Sequence, residues 1–483
     1  MDLRQKVLSG LRWSAGARFL GQLITWAITI IVMRLLTPGD YGLMAMAGVF
    51  IAFLMMLNEL GLGAALIQKQ EIDETTLRQT FGMLWVINFC LFLILLLIAP
   101  LIGSFFHEQR IVPIVRLLSI QFIMMPFAII PQSLITREMN FKGISIVDFV
   151  SAIAGSAITL ILALSGLGVW SLVWGSMAII VSRTIGLNVI SSYLHIPIFS
   201  FKGMAQTITF GGYVTISRIL WGFYTQADTF IIGKLLGKEL LGFYSVGVTI
   251  ATLPMEKVSG IINQVAFPAF SRIQNDSKMA ASHFLKAVRV MSFLAFPVLW
   301  GMSSIAPELV AVLLGDKWRL AVVPFQLLSL VIPIRMISNL MSPAVMGLGR
   351  PDISFYNTLL AFVVMPLVIL IFTHWGLTGA CLAWVIFFPL VFWRNLSRVV
   401  PLLGTRVSGV VKAMIKPVLA GASMYIIVIA LKMLFGNDPK SIGHLILLII
   451  TGAMVYGGMI MILHWDGCRE VLGLMKDYNP DSK

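Results

Sequence analysis

Residues 11–50 are LRWSAGARFLGQLITWAITIIVMRLLTPGDYGLMAMAGVF, and residues 211–250, GGYVTISRILWGFYTQADTFIIGKLLGKELLGFYSVGVTI, repeat them at an offset of 200. Each copy begins as an apolar helix that carries one arginine, and the first copy then turns at Thr37-Pro38-Gly39-Asp40 into a second helix. The copies align without gaps at Arg18/Arg218, Leu20/Leu220, Thr25/Thr225, Ile31/Ile231, Leu35-Leu36/Leu235-Leu236 and Gly42/Gly242. A repeat that preserves a charge inside an apolar segment predicts a duplicated membrane unit.

The composition indicates the same class of protein. Of the 483 residues 58% are hydrophobic, and the mean hydropathy is +0.94. Apolar runs of about 20 residues, long enough to cross a bilayer as helices, recur from Trp13 to His464 with short polar breaks. Barrel strands would instead alternate over about 10 residues. The chain is therefore predicted to be an all-α polytopic membrane protein without a separate soluble domain.

Several function classes lack support in the sequence. The three cysteines, Cys90, Cys381 and Cys468, have unrelated spacings that fit neither a zinc site nor a disulfide framework. Phosphate-binding-loop, zinc-hydrolase and dinucleotide-binding motifs do not occur. We therefore expect no enzyme activity, no cofactor and no metal. The net charge of +14 is expected to set membrane topology rather than to bind nucleic acid.

The apolar runs predict fourteen membrane spans. They are residues 11–36, 41–67, 78–103, 111–135, 145–165, 168–193, 207–236, 241–270, 284–314, 320–346, 353–373, 376–399, 412–435 and 442–464. One set of alternate connections holds about three times as many Lys and Arg residues as the other. Both termini are therefore predicted to be cytoplasmic.

The internal repeat extends beyond the first hairpin. Gly166-Leu167 returns as Gly376-Leu377, and Leu117-Leu118-Ser119 returns as Leu327-Leu328-Ser329, both at an offset of 210. Spans one to six then correspond to spans seven to twelve, and an even number of spans gives the copies the same orientation in the membrane. The prediction is two parallel-related six-helix lobes around a central cavity plus two extra C-terminal helices. The predicted boundaries are 1–200 for the first lobe, 201–405 for the second, 406–465 for spans thirteen and fourteen, and 466–483 for a cytoplasmic tail.

Three arginines lie well inside predicted spans: Arg18, Arg218 and Arg335. A charge near the bilayer centre costs at least about 2.5–3.5 kcal/mol, so each needs a physical reason. One hypothesis places them in a water-filled cavity between the lobes, where guanidinium groups bind an anion bidentately. The other makes them structural ion pairs. No acidic residue lies within two helical turns of Arg335, which favours the cavity for that residue.

Acidic groups at comparable depth are Glu59, Asp228 and Glu256, the last beside Lys257. They are candidates either for ion coupling or for ion pairs. On the second interpretation Arg18 pairs with Glu59, Arg218 pairs with Asp228, and Glu256 and Lys257 neutralise one another. The sequence leaves both interpretations open.

Five segments resemble one known family. They are Leu3-Arg4 with Leu8-Ser9-Gly10 and Trp13; Glu59-Leu60-Gly61 running to Ile67-Gln68; Phe267-Pro268-Ala269-Phe270-Ser271-Arg272-Ile273-Gln274; Leu314-Gly315-Asp316-Lys317-Trp318; and Gly349-Arg350-Pro351-Asp352. Together they are similar to Wzx-like lipopolysaccharide or colanic-acid exporters of the multidrug/oligosaccharidyl-lipid/polysaccharide exporter superfamily. The resemblance implies a fourteen-helix fold in a bacterial inner membrane. It also implies that buried cations engage the diphosphate of an undecaprenyl-diphosphate-linked oligosaccharide.

The predicted function is a flippase that moves such lipid-linked repeat units from the cytoplasmic to the periplasmic leaflet by alternating access, for surface polysaccharide biosynthesis. Its expected partners are this lipid-linked oligosaccharide, membrane lipid, a polysaccharide polymerase and a chain-length regulator. The alternative is a cation-coupled drug or organic-cation antiporter of the same superfamily, in which carboxylates rather than arginines would form the site. A third class, a non-transporting scaffold or enzyme in a polysaccharide complex, gives the two-lobe repeat no purpose.

Overall fold

The structure is a computed structural model of the full chain. It describes residues 22, 24–63, 66, 73–138, 140–191, 196–200, 205–253, 270–273, 276–435 and 440–463, with the backbone alone described for 205–220 and for Phe435. All statements below concern these residues.

Every one of the fourteen predicted spans contains a helix, which confirms the all-α prediction. The helices are α1 Ile24–Leu35, α2 Pro38–Met55, α3 Glu74–Phe106, α4 Ile111–Arg137, α5 Phe141–Leu164, α6 Val169–Ser191, α7 Ala205–Thr252, α8 Ser277–Ser304, α9 Ala306–Leu313, α10 Val322–Asn339, α11 Met341–Gly347, α12 Pro351–Phe372, α13 Gly376–Val399, α14 Val407–Phe435 and α15 Ile442–Leu463. A 3₁₀ segment, Asp316–Ala321, leads into α10, and a second, Thr373–Trp375, leads into α13.

The lengths and surfaces of these helices fit a bilayer. Within the described part of the chain, ten helical segments are long and apolar enough to cross a membrane. Large apolar side chains are widely exposed, with Leu97 at 73%, Val189 at 74% and Ile462 at 80%. A water-exposed surface of this kind would aggregate, whereas hydrocarbon tails cover it without penalty. The protein is a multi-pass membrane protein.

The chain divides into two compact units, Met1–Gly242 and Phe243–Lys483. These units are defined by contacts, whereas the predicted lobes 1–200 and 201–405 are defined by the sequence repeat and stay a prediction. In the first unit α5 packs along α6, and α4 packs against both α3 and α6. Gly155 and Gly175 allow the α5–α6 approach, because a Cβ at either position would overlap the other helix.

The predicted turn after the first span is confirmed, and its side chains link the start of α2 to the start of α6. Thr37 caps α2 by accepting a hydrogen bond from the Asp40 amide, while the Asp40 carboxylate accepts hydrogen bonds from the amide and the hydroxyl of Thr37. The other Asp40 oxygen accepts a hydrogen bond of 3.0 Å from the Val169 amide at the start of α6. One buried carboxylate thus satisfies donors at the N-termini of two helices.

The second copy of the turn uses a glycine in place of the Thr37–Asp40 cap, and each copy of the turn lies against a glycine of the other copy. The backbone of α7 turns at Gly237, whose φ of 81° lies in the left-handed region that glycine tolerates. A Cβ at Gly42 would overlap the Lys238 carbonyl oxygen, and a Cβ at Gly242 would overlap the Pro38 carbonyl oxygen. Gly42 and Gly242 are 200 positions apart, and so are the residues they face, Pro38 and Lys238. The two glycines that the repeat aligns are therefore the points at which each copy lies against the turn of the other.

The second unit is built on α8, which packs along both α10 and α14. Helix α10 also packs on α13, α13 on α12, and α14 on α15. Predicted spans thirteen and fourteen, which are α14 and α15, share a buried cluster with the end of α8 through Ile305, Met424 and Leu448. These two helices are therefore integral to the second unit.

Candidate functional site

Arg335 lies inside α10, within the tenth predicted span. It follows the first residue of α10 by thirteen positions, about 20 Å along the helix axis, in a bilayer whose hydrocarbon core is about 30 Å thick. Its guanidinium carbon lies 4.2 Å from the ring centroid of Trp384 and 6.0 Å from that of Phe388. Arg335 forms no ion pair with any carboxylate of the described residues. Its contacts are therefore aromatic faces, not counter-charges.

Trp384 and Phe388 form a rigid surface beneath this guanidinium. They are four residues apart on α13, so they lie on one face of the helix, with ring centroids 5.9 Å apart. Trp384 is 1% exposed and Phe388 4% exposed, which holds both rings in place. Aromatic faces attract a cation without neutralising its charge. Sequence analysis did not connect either residue with Arg335, because Arg335 and Trp384 are 49 positions apart on different helices.

An apolar cavity lies beside these residues. It has a volume of about 380 Å³ between α8, α10, α13 and α14, and Ile334 and Val385, the neighbours of Arg335 and Trp384, line it. Trp300, Pro389 and Ile426 complete much of the wall, so its chemistry suits hydrocarbon rather than an anion.

Lys432 and Glu308 form a second charged site in this unit that sequence analysis missed. The Lys432 Nζ lies 2.8 Å from Glu308 Oε1 and donates hydrogen bonds to Glu308 Oε2 at 2.9 Å and to the Ser304 carbonyl at 3.1 Å. The Glu308 side chain is fully buried and that of Lys432 is 12% exposed. Both residues fall inside predicted spans, and a charge inside an apolar span is the sequence feature that could have identified them. Their pairing across 124 positions was not encoded locally.

Asp228 is, like Asp40, a buried carboxylate of the first unit, at 8% exposure. It precedes Gly237 by nine residues, or about 14 Å of helix, which places it at mid-depth. Its Oδ1 accepts a hydrogen bond of 2.7 Å from the Thr229 amide. This depth agrees with the position that the sequence predicted, whereas a pair with Arg218 stays a prediction, because the Arg218 side chain lies outside the described residues.

Glu59 lies in a break in the second predicted span. Helix α2 ends at Met55, about 27 Å from its start, and Leu60 and Gly61 then adopt positive φ angles of 44° and 70°. Asn88 on α3 donates a hydrogen bond of 2.8 Å to the Asn58 carbonyl in this break. The predicted span 41–67 is therefore interrupted, and Glu59 lies near the end of the membrane crossing opposite Thr37. Its pairing with Arg18 stays a prediction.

Arg18, Glu256 and Lys257 also lie outside the described residues. The cavity and ion-pair interpretations of these three residues remain predictions.

Two further charged groups tie helices together in the first unit. Arg183 on α6 donates a hydrogen bond of 2.8 Å to Asp148 on α5 and one of 3.1 Å to Gln132 on α4. These contacts give the charged side chains of Arg183 and Asp148 polar partners within the first unit. Near the Thr37 turn, Lys238 pairs with Glu108 in the loop between α3 and α4. Burial raises the pKa of Glu108, but hydrogen bonds from Lys238 and the Arg110 amide, with both positive charges, bring it below its usual value.

Comparison with known proteins places the chain in a sequence family. The sequence profile described as "polysaccharide biosynthesis protein" matches residues 31–323, which is more than half of the chain. A membrane protein encoded in the cps region of Klebsiella pneumoniae is 26% identical over 99% of both chains. The lipopolysaccharide biosynthesis protein WzxC of Escherichia coli is 26% identical over 77% of this chain and 76% of its own length.

A solved structure shares the fold. The lipid II flippase MurJ in an inward closed conformation superposes with a TM-score of 0.72, covering 94% of this chain and 99% of its own. The sequence identity is 14%, so this likeness concerns the fold alone.

Proposed function

Because this chain belongs to the family of polysaccharide biosynthesis proteins, we propose that it is a flippase for undecaprenyl-diphosphate-linked oligosaccharides. It moves these repeat units from the cytoplasmic to the periplasmic leaflet of a bacterial inner membrane by alternating access. The units then enter the synthesis of O-antigen, capsule or exopolysaccharide. The similarity to WzxC, a lipopolysaccharide biosynthesis protein, supports the assignment to surface polysaccharide, and the shared fold with a lipid flippase supports transport.

The physical obstacle that such a protein removes is desolvation. A diphosphate with attached sugars would lose its hydration on entering hydrocarbon, and buried charges without partners carry a penalty of many kcal/mol. Guanidinium groups replace that hydration with charge-assisted, bidentate hydrogen bonds to phosphate oxygens. The polyprenyl tail needs no such replacement, since it is already soluble in the lipid.

The observation that carries the proposal is the environment of Arg335. It lies about 20 Å along α10, and its described contacts are two aromatic rings instead of a carboxylate. A cation inside a predicted span that pairs with no carboxylate of the described residues fits a mobile anion as its counter-charge. Arg18 and Arg218, related by the repeat, are proposed as further cations of the same pathway. Any net charge that moves with the substrate is worth about 2.3 kcal/mol per 100 mV of membrane potential.

The test is Arg335→Ala in a strain that depends on this protein for surface polysaccharide. Export per protein molecule should fall at least about 30-fold, because loss of one charged partner of an anion costs about 2 kcal/mol or more. The matched control is Arg319→Ala, which removes an exposed arginine just before α10. It should leave export within about twofold of the wild type, since surface charges contribute little.

Protein level and the conservative variant separate the alternatives. Arg335→Lys keeps the charge but loses the bidentate geometry, so export should be intermediate. Normal export by Arg335→Ala at a normal protein level would contradict the proposal. A fall in export that is matched by an equal fall in protein level would indicate a structural role.

Asp228 favours the second candidate, a cation-coupled drug or organic-cation antiporter. A buried carboxylate at mid-depth is the group that such a transporter uses for its cation or proton. Cells that overproduce the protein should then extrude ethidium, and Asp228→Asn should abolish that extrusion. Absence of extrusion, together with loss of polysaccharide export in Arg335→Ala, would favour the flippase.

A further inference from the structure

The contact between Arg335 and Trp384 has a consequence for how the guanidinium meets a ligand. The guanidinium carbon lies over the Trp384 ring at 4.2 Å, so the ring occupies one face of the cation. A guanidinium carries its five N–H donors in its own plane, at the edge and not on the face. A partner on the face therefore fixes the group while it leaves the edge donors for another acceptor.

A carboxylate in the same place would act differently. It would take two of the edge donors in a bidentate pair and neutralise the charge. Lys432 illustrates that arrangement in this unit, because its ammonium already donates to Glu308 and to a backbone carbonyl. Trp384 attracts its cation through the ring quadrupole alone, an interaction that grows when water is excluded.

The rigidity of the aromatic surface also restricts where the cation can lie. Trp384 is 1% exposed, and Phe388 follows it one turn later at 4% exposure, with its centroid 6.0 Å from the same guanidinium. An unsupported arginine samples many rotamers, and ordering it on binding costs side-chain entropy. A cation that already rests on fixed rings loses less of this freedom when an anion arrives.

We propose that Trp384 is a positioning residue for the diphosphate site. It holds the face of the Arg335 guanidinium so that the N–H edge is presented, preorganised and still charged, to a pyrophosphate group. This inference rests on the proposed function, because it takes Arg335 as the cation that binds the diphosphate. Phe388 extends the same surface and contributes less, because its ring is farther from the guanidinium.

The experiment is a double-mutant cycle on purified full-length protein with undecaprenyl diphosphate as the probe and undecaprenol as the uncharged control. In the Arg335 background, Trp384→Leu should weaken undecaprenyl diphosphate binding about tenfold, as loss of a desolvated cation–π contact predicts. In the Arg335→Ala background the same substitution should change affinity by less than about twofold. Undecaprenol binding should be equal in all four proteins.

Two controls keep a structural role of the tryptophan apart from positioning. Trp318→Leu removes another fully buried tryptophan of this unit, one that packs against Phe243, and should lower thermal stability without changing affinity. Trp384→Phe retains a weaker aromatic face and should weaken binding only about two- to threefold. If Trp384→Leu does not accumulate, Trp384→Phe takes its place in the cycle and the smaller loss should again vanish without Arg335.

Three results would overturn the inference. Equal losses from Trp384→Leu with and without Arg335 would show that the tryptophan acts independently of the cation. An equal loss of undecaprenol affinity would show that it acts on the tail. Unchanged binding by Arg335→Ala would overturn the proposed diphosphate role of Arg335 itself, and the inference with it.

Discussion

Two cations of the second unit, Lys432 in the last turn of α14 and Arg335 inside α10, have opposite surroundings. Lys432 touches both oxygens of the buried Glu308 at 2.8 and 2.9 Å, and together they are electrically neutral. Arg335 lies over Trp384 and Phe388 and pairs with no carboxylate of the described chain. The first arrangement satisfies a charge permanently and joins α14 to α9. The second retains a positive charge that a ligand can use. Location in a membrane-spanning helix therefore does not identify a functional cation, whereas its partner does.

The strongest test of the comparison is Lys432→Ala. It leaves the Glu308 carboxylate buried without its partner, which is expected to destabilise the protein by about 3–5 kcal/mol. The thermal midpoint in detergent should fall clearly, and α14 should lose protection in hydrogen exchange. Lys440→Ala is the matched control, since it breaks a pair with Asp316 whose side chains are 66% and 72% exposed. That variant should be within about 0.5 kcal/mol of the wild type.

A double replacement sharpens the result. Lys432→Met with Glu308→Leu removes both charges and keeps similar volume, so most of the lost stability should return. If Lys432→Ala melts like the wild type, the pair is not structural. The contrast with Arg335 would then lose its basis.

A second test gives Arg335 a carboxylate partner like the one that Lys432 has. Phe388→Glu places a carboxylate within reach of the guanidinium, where it should form an ion pair and occupy the N–H donors. Export per protein molecule is expected to fall about tenfold or more, while thermal stability changes less than in Lys432→Ala. Phe388→Gln is the control of equal size without charge. Equal export by the Glu and Gln variants would show that neutralising Arg335 is not what matters.

The fold was predictable because it is encoded in runs of residues. Each span is an apolar stretch about as long as the bilayer is thick, and turn residues such as Thr37 and Asp40 mark the hairpin. The break near Glu59 was not predictable, since Leu60 at a φ of 44° carries no local signal. The repeat aligned Gly42 with Gly242, but only the structure shows that each glycine lies against the other copy's turn.

The candidate site was predictable only in part, because its partners lie far away in the chain. A local rule, the absence of acidic residues within two turns, singled out Arg335. It could not identify Trp384, which is 49 positions later on another helix. The same limitation hid the pairing of Glu308 with Lys432, since the two residues are 124 positions apart. Sequence locates buried charges, and tertiary packing decides which of them are neutralised.

A third ion pair should give the smallest effect, because it lies at the edge of the membrane. Lys238 pairs with Glu108, and their side chains are 23% and 16% exposed. Glu108→Gln should destabilise the protein by about 0.5–1 kcal/mol, well below the effect of Lys432→Ala, since partial hydration weakens the attraction. Thermal midpoints of the two variants, measured in one detergent at about pH 7, compare an edge pair with a buried one.

The same pair predicts a pH dependence with a definite sign. The pKa of Glu108 lies below its ordinary value of 4.5, because the Lys238 hydrogen bond and charge, with the Arg110 amide, outweigh the effect of burial. The folded protein therefore holds this proton less tightly than the unfolded chain does. The stabilisation is complete above about pH 4.5 and is lost as the pH falls through the folded pKa. Glu108→Gln removes this contribution, so its midpoint should converge with that of the wild type as the pH falls through the folded pKa of Glu108. Parallel curves for Glu108→Gln and the wild type at every pH would mean that the edge pair contributes nothing to folding.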